Sequence, residues 1–170
     1  MDPYTPPPPI GRVAAPMEEG LLDDPTFAGW AADGTLSTAL YFRRYVDRWP
    51  DRAAAVLRTI ADAPEGGVLF HCQRGRDRTG LVSILLLSLV GVPAELIVED
   101  HLRTDARLVA TGVAMGHVGL DGEPEVYAAA GTTAEATLFD LLSDLDVATL
   151  LRTAGWTTAH VDDLRARLLE

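Results

Sequence analysis

Residues 81–90, LVSILLLSLV, are apolar around the whole circumference of a helix except at Ser83 and Ser88. Such a helix has no face to show to water, so it must run through the middle of a domain. Gly91 and Pro93 stop it. Upstream, Val68-Leu69-Phe70 follows the turn Pro64-Glu65-Gly66-Gly67 and has the pattern of a short buried strand. A chain of 170 residues with one such centre and no fixed-period repeat is expected to be a single domain over residues 1–170.

The flanks supply the rest of that domain. Residues 1–9 are proline-rich and expected to be extended, Ile10 to Ala15 could form a short strand, and Pro16 to Gly34 reads as a long loop. Leu40, Tyr41, Val46 and Trp49 give a helical pattern capped by Ser37 or Thr38 and ended by Pro50. Asp51 is expected to cap a second helix reaching about Ala63, with Val56, Leu57 and Ile60 inward. A helix over about 93–105 follows the central one, and residues 106–133 give no clear pattern. Three helices are expected over about 134–145, 147–153 and 158–169, the last capped by Thr157 or Thr158.

Charge and residue usage narrow the chemistry. Lys plus Arg total 14 against 25 acidic residues, a net charge of −11, and every basic residue is arginine. Without lysine there is no Schiff-base enzyme, no pyridoxal-phosphate anchor and no P-loop ATPase lysine. The acidic balance argues against nucleic-acid binding. Cys72 is the one cysteine, so an internal disulfide is impossible and a reducing compartment is expected. MDPYTPPPPIG does not read as a signal peptide, and the longest apolar run falls well short of the roughly 20 residues of a membrane span. A soluble cytoplasmic protein is expected. His101, His117 and His160 are scattered without ligand spacing, so no metal and no cofactor is expected.

Between strand and central helix lies His71-Cys72-Gln73-Arg74-Gly75-Arg76-Asp77-Arg78-Thr79-Gly80. Five residues separate a thiol at the strand's end from an arginine at the helix's start. Such a loop can curl so that its N–H groups share one centre, an anion site at a helix N-terminus. Gly75 permits the positive φ of the curl, and Gly80 allows close packing. Arg78 offers a two-pronged donor for a tetrahedral oxyanion. Amides, helix dipole and Arg78 together should favour a Cys72 thiolate. A thiolate beneath a bound phosphate is an in-line nucleophile, with Thr79 donating to sulfur when it leaves and His71 orienting the loop.

These residues resemble the Cys-x5-Arg-Ser/Thr signature of protein tyrosine phosphatases, and more narrowly the bacterial and fungal group whose loop reads HCxxGKDRTG. LLLSLVGVPAELIVEDHL and the tail LLSDLDVATLLRTAGWTTAHVDDLRARLL are similar to that group's helices, so the resemblance spans about residues 38–169. Arg76 stands where the group has Lys, and Arg74 where it has a small residue. The group's N-terminal half, with an Asn-Phe-Arg-Asp-like segment and a strand ending in Asp-Leu-Arg, has no counterpart here. The resemblance implies an α/β, phosphatase-like fold: a short parallel sheet flanked by helices, with a helix-rich C-terminus. It implies Cys72, Arg78 and Asp77 as catalytic residues and Gln73, Arg74, Gly75, Arg76, Asp77 and Arg78 as the phosphate-binding set. His71, Thr79 and Gly80 support them.

The general acid is open at this point. The resemblance favours Asp77. Trp49-Pro50-Asp51 reproduces the triplet that carries the acid in conventional tyrosine phosphatases, and Asp24 and Asp33 are further candidates. The expected activity is metal-independent phosphomonoester hydrolysis through a phosphocysteine, on a phosphorylated protein or a phosphoinositide. Arg74 and Arg76 would add positive charge for the latter. The alternative is a phosphate-binding pseudophosphatase.

Overall fold

The structure is a computed structural model that describes residues 11–114 and 123–170. Among these residues it is built of helices: α1 (Pro25–Ala32), α2 (Leu40–Arg48), α3 (Pro50–Ala61), α4 (Asp77–Leu89), α5 (Ala94–Ala114), α6 (Glu123–Ala129), α7 (Ala134–Asp144), α8 (Val147–Thr153) and α9 (Thr158–Leu169). Short 3-10 turns lie at Leu21–Asp23 and Thr35–Ser37.

Helix α4 is the all-apolar segment, and it takes the central place. Leu81, Val82, Ile84, Leu85, Leu86 and Leu89 are buried on every side, against α3, α5 and α8. Helices α2 and α3 turn one face each to this core, through Tyr41, Phe42, Tyr45 and Val46 and through Val56, Leu57 and Ile60. The C-terminal helices start where the sequence places their caps. Thr133, Asp146 and Thr157 accept N–H bonds from the first turns of α7, α8 and α9. Pro50 opens α3 rather than merely ending α2. Asp51 is therefore in the first turn and Trp49 holds the cap position, which suits a proline whose missing N–H would be unpaired there anyway.

The expected parallel sheet is absent among the described residues, which hold no strand. Val68-Leu69-Phe70 is coil: Leu69 is 90% exposed, Val68 is exposed, and Phe70 alone packs on the core. An apolar triplet becomes a strand only when a neighbour pairs with its N–H and C=O groups. Without a ladder its backbone needs water, which keeps the segment at the surface. Residues 11–15 are likewise coil, and the proline-rich segment 1–9 and Ile10 lie outside the described residues, as do 115–122.

The expected loop over 16–34 instead contains α1. Asp24 caps it through the N–H groups of Thr26 and Phe27, and Pro25 takes its first position. Phe27 and Trp30 then join Trp49 and Tyr45 in an aromatic cluster. The segment before α1 is tied down as well. Tyr45 donates its hydroxyl to the Met17 carbonyl at 2.7 Å, and Arg52 donates to the carbonyls of Met17 and Glu19. Glu18 is held between them.

Candidate active site

The loop from His71 to Arg76 runs into the first turn of α4 at Asp77. Gly75 turns it with φ +75°, a conformation that side chains with a Cβ rarely adopt. The turn brings the Gly75 N–H to 3.2 Å from the Cys72 sulfur. Thr79, one turn into α4's start, reaches back: its Oγ1 accepts the Cys72 N–H at 2.9 Å. His71 Nδ1 lies 3.0 Å from the Cys72 carbonyl oxygen, and the ring is exposed.

Half-burial pushes the Cys72 thiol up, because a charged sulfur loses water. Hydrogen bonds outweigh it. The Thr79 hydroxyl, then the N–H groups of Thr79, Gly75 and Arg74, favour the thiolate and bring the thiol down to about 7. The aimed donors are the largest causes of the depression. Thr79→Ala is therefore expected to move the pH midpoint of Cys72 alkylation by iodoacetamide upward, toward the ordinary thiol value of about 8.5. At pH 7 the alkylation rate should fall several-fold, and an unchanged midpoint would remove Thr79 from this role.

The three arginines of the loop have different fates. Arg74 is exposed. Arg76 is 3% exposed; it donates to the Ser37 carbonyl at 2.5 Å and forms an ion pair with Glu123. It is therefore committed inward. Arg78 is part-exposed, with its Nε 3.5 Å from Glu18 Oε2. Glu18 is a site residue that the sequence does not announce. It lies 60 positions from Arg78, and the tethers on Met17 and Glu19 help bring it there. Burial raises its carboxyl above the usual range, Arg78 opposes that, and Asp77 adds to it.

Asp77 opens α4, where the helix N-terminus favours a carboxylate, and its Oδ1 is 3.3 Å from Arg76 Nη1. The other acid candidates have separate work. Asp24 is held low by its hydrogen bond with Arg48 and by the α1 N–H groups it caps. Asp33 is held low by Thr35, whose N–H it accepts at 2.9 Å. Asp51 is exposed in the first turn of α3.

Gln73 is exposed on the loop. At Gly80 a Cβ would lie 2.7 Å from His101 Cε1, so its bareness admits the imidazole of α5, which also meets the Phe42 ring edge-on. The close approach is thus to a ring, and it fixes α5 against the start of α4.

The sequence profile of the tyrosine phosphatase family matches residues 29–170. A tyrosine-protein phosphatase of Nostoc commune is 50% identical over 46 residues, 27% of this chain and 16% of that protein. A putative tyrosine-protein phosphatase of Cupriavidus necator is 37% identical over 62 residues, 35% of this chain and 21% of that protein. A triple specificity protein phosphatase of Mycobacterium tuberculosis is 50% identical over 38 residues, 22% of this chain and 14% of that protein. The chain thus aligns with about a fifth or less of each relative's length. No solved structure matches it.

Proposed function

Because the chain belongs to the tyrosine phosphatase family, we propose that it hydrolyses phosphomonoesters through a phosphocysteine, with phosphotyrosine as the preferred substrate. The observation that carries this reading is the convergence of the Thr79 hydroxyl and the amides of Arg74, Gly75 and Thr79 on the Cys72 sulfur. Donors that steady a thiolate also face the oxygens of a phosphate seated above it.

In the first step the Cys72 thiolate attacks phosphorus and the bond to the leaving oxygen breaks. Asp77 gives that oxygen its proton. In the second step water attacks the phosphocysteine, Asp77 takes a proton back, and the S–P bond breaks as Thr79 donates to sulfur. Arg78 and the loop amides balance the charge on the phosphoryl oxygens, work that a metal does in other phosphatases. To grip two oxygens, Arg78 exchanges its contact with Glu18 for the substrate.

The inward commitment of Arg76 bears on substrate choice. A loop with Arg74 and Arg76 both turned outward would favour multiply phosphorylated head groups, whereas a buried, paired Arg76 leaves Arg74 as its outward cation beside the part-exposed Arg78. That supports a singly phosphorylated aryl ester over a phosphoinositide. A second reading, phosphate binding without turnover, is favoured by the Arg78–Glu18 contact, which keeps the guanidinium occupied. Phosphate release from a phosphotyrosine peptide in EDTA separates the two. Turnover that persists in EDTA and is inhibited competitively by vanadate is expected. Vanadate binding with no phosphate release would establish the second reading. Activity lost in EDTA and restored by a metal ion would overturn both.

A further inference from the structure

The Tyr41 side chain is fully buried on α2, and its hydroxyl has no hydrogen-bond partner among the described residues. Buried tyrosine hydroxyls usually have one, because an unpaired donor costs stability. The ring stands 6.1 Å from that of Tyr45, edge to face. The Tyr45 hydroxyl in turn donates to the carbonyl of Met17, the residue before Glu18. The charges that act on the Tyr41 hydroxyl include those of Glu18, Asp77 and Arg78. Burial, and after it the Glu18 and Asp77 carboxylates, push its ionisation well above the ordinary phenol range, so it keeps its proton and can donate it. We propose that Tyr41 is a positioning residue of the anion site: when a phosphate takes Arg78, the displaced Glu18 carboxylate turns inward and accepts the Tyr41 O–H. The role rests on the phosphate-binding reading given above.

The main chain around Glu18 is tied down, so the exchange is confined to a side chain. The Met17 carbonyl accepts from Tyr45 and Arg52, the Glu19 carbonyl accepts from Arg52, and the carbonyl of Glu18 itself accepts the Leu21 N–H at 3.0 Å. From that fixed point, rotation about the side-chain bonds carries the carboxylate from one partner to the other. The contact it leaves is loose: Arg78 Nε is 3.5 Å away and both side chains are part-exposed, so water screens the pair. The contact it gains is a hydrogen bond from a buried hydroxyl to a charged oxygen, which belongs to the stronger kind. Asp77 is the other carboxylate that acts on Tyr41, and it pairs with Arg76 at 3.3 Å. Tyr41 thus favours the phosphate-bound arrangement without touching the phosphate.

The test is calorimetric titration with inorganic phosphate. Tyr41→Phe is expected to weaken phosphate binding about tenfold, the scale of a hydrogen bond to a charged group. Its melting temperature without phosphate should be equal to or above that of wild type, since the hydroxyl it loses has no partner there. Glu18→Ala should abolish the effect: Tyr41→Phe in that background should bind phosphate within about twofold of Glu18→Ala alone. In protein labelled with ¹³Cζ-tyrosine, phosphate should shift the Tyr41 resonance in wild type and leave it in place in Glu18→Ala. That comparison decides the matter if Tyr41→Phe does not fold, the resonance being assigned by its contacts with the Phe42 ring, 4.9 Å away. Unchanged affinity in Tyr41→Phe overturns the assignment, as does an equal loss in both backgrounds, which would mean that Tyr41 acts on the loop without Glu18. A lowered melting temperature overturns it too, since the hydroxyl would then have a partner before phosphate arrives. A wild type that binds no phosphate overturns the anion-site reading itself, and the role of Tyr41 falls with it.

Discussion

Cys72→Ser is expected to reduce turnover of para-nitrophenyl phosphate by about 10⁴-fold or more, the scale of removing a nucleophile. It should leave binding of inorganic phosphate within several-fold of wild type. The two expectations have separate physical sources. Turnover needs an anionic atom under the phosphorus, and the loop's donors bring a thiol to about 7 but cannot ionise a far less acidic hydroxyl. Binding needs the curled backbone and Arg78, neither of which involves the sulfur's charge. Steady-state kinetics and calorimetric titration with phosphate read the two halves. Turnover near the wild-type rate would remove the cysteine from the chemistry. Loss of both activities together would mean that the sulfur organises the loop rather than reacting.

Asp77→Asn is expected to lower kcat on phosphotyrosine by about 10²–10⁴-fold, the usual contribution of a positioned acid. The loss on para-nitrophenyl phosphate should be much smaller, because that phenolate departs unprotonated. The sign of the pH dependence follows. An acid works while it holds its proton, so the wild-type rate falls as pH rises through the acid's own titration. Asn has no proton to lose, so this alkaline limb should flatten. Glu18→Gln is the informative comparison, since burial raises Glu18 and it touches Arg78. Freeing Arg78 should change KM for both substrates in the same proportion. A leaving-group-dependent loss in Glu18→Gln, with none in Asp77→Asn, would transfer the acid's role to Glu18. The same pattern in Asp51→Asn would transfer it to the Trp49-Pro50-Asp51 turn.

The parts legible in the sequence are those whose cause is local. The periodic apolar faces of α2 and α3, the all-round apolarity of α4, and the caps Thr133, Asp146 and Thr157 each carry their signal within a few residues. So does the convergence of Thr79 and Gly75 on Cys72, because loop and helix start adjoin in the chain. The misreadings fall where a distant partner decides. Val68-Leu69-Phe70 has a strand's composition, and composition cannot supply a neighbouring strand. The motif alone turns Arg76 toward a phosphate, whereas Glu123, 47 positions on, draws it inward. The contact of Glu18 with Arg78 is hidden from the sequence for the same reason. Helix α1 hides in the sequence because Asp24, Pro25 and Gly29 read as loop residues one by one, although Asp-Pro is also a helix start.

The tuned sulfur has a consequence for oxidants. A half-buried thiol brought down to about 7 is in good part thiolate near neutral pH, and the thiolate is the form that peroxide attacks. The product is a sulfenic acid, which a second cysteine ordinarily traps as a disulfide. These 170 residues hold no second cysteine. Rescue by a thiol therefore needs a partner outside these residues, and without one further peroxide carries the sulfur to the irreversible sulfinic acid. The donors that lower the Cys72 thiol thus also set how quickly the sulfur is lost in an oxidising medium.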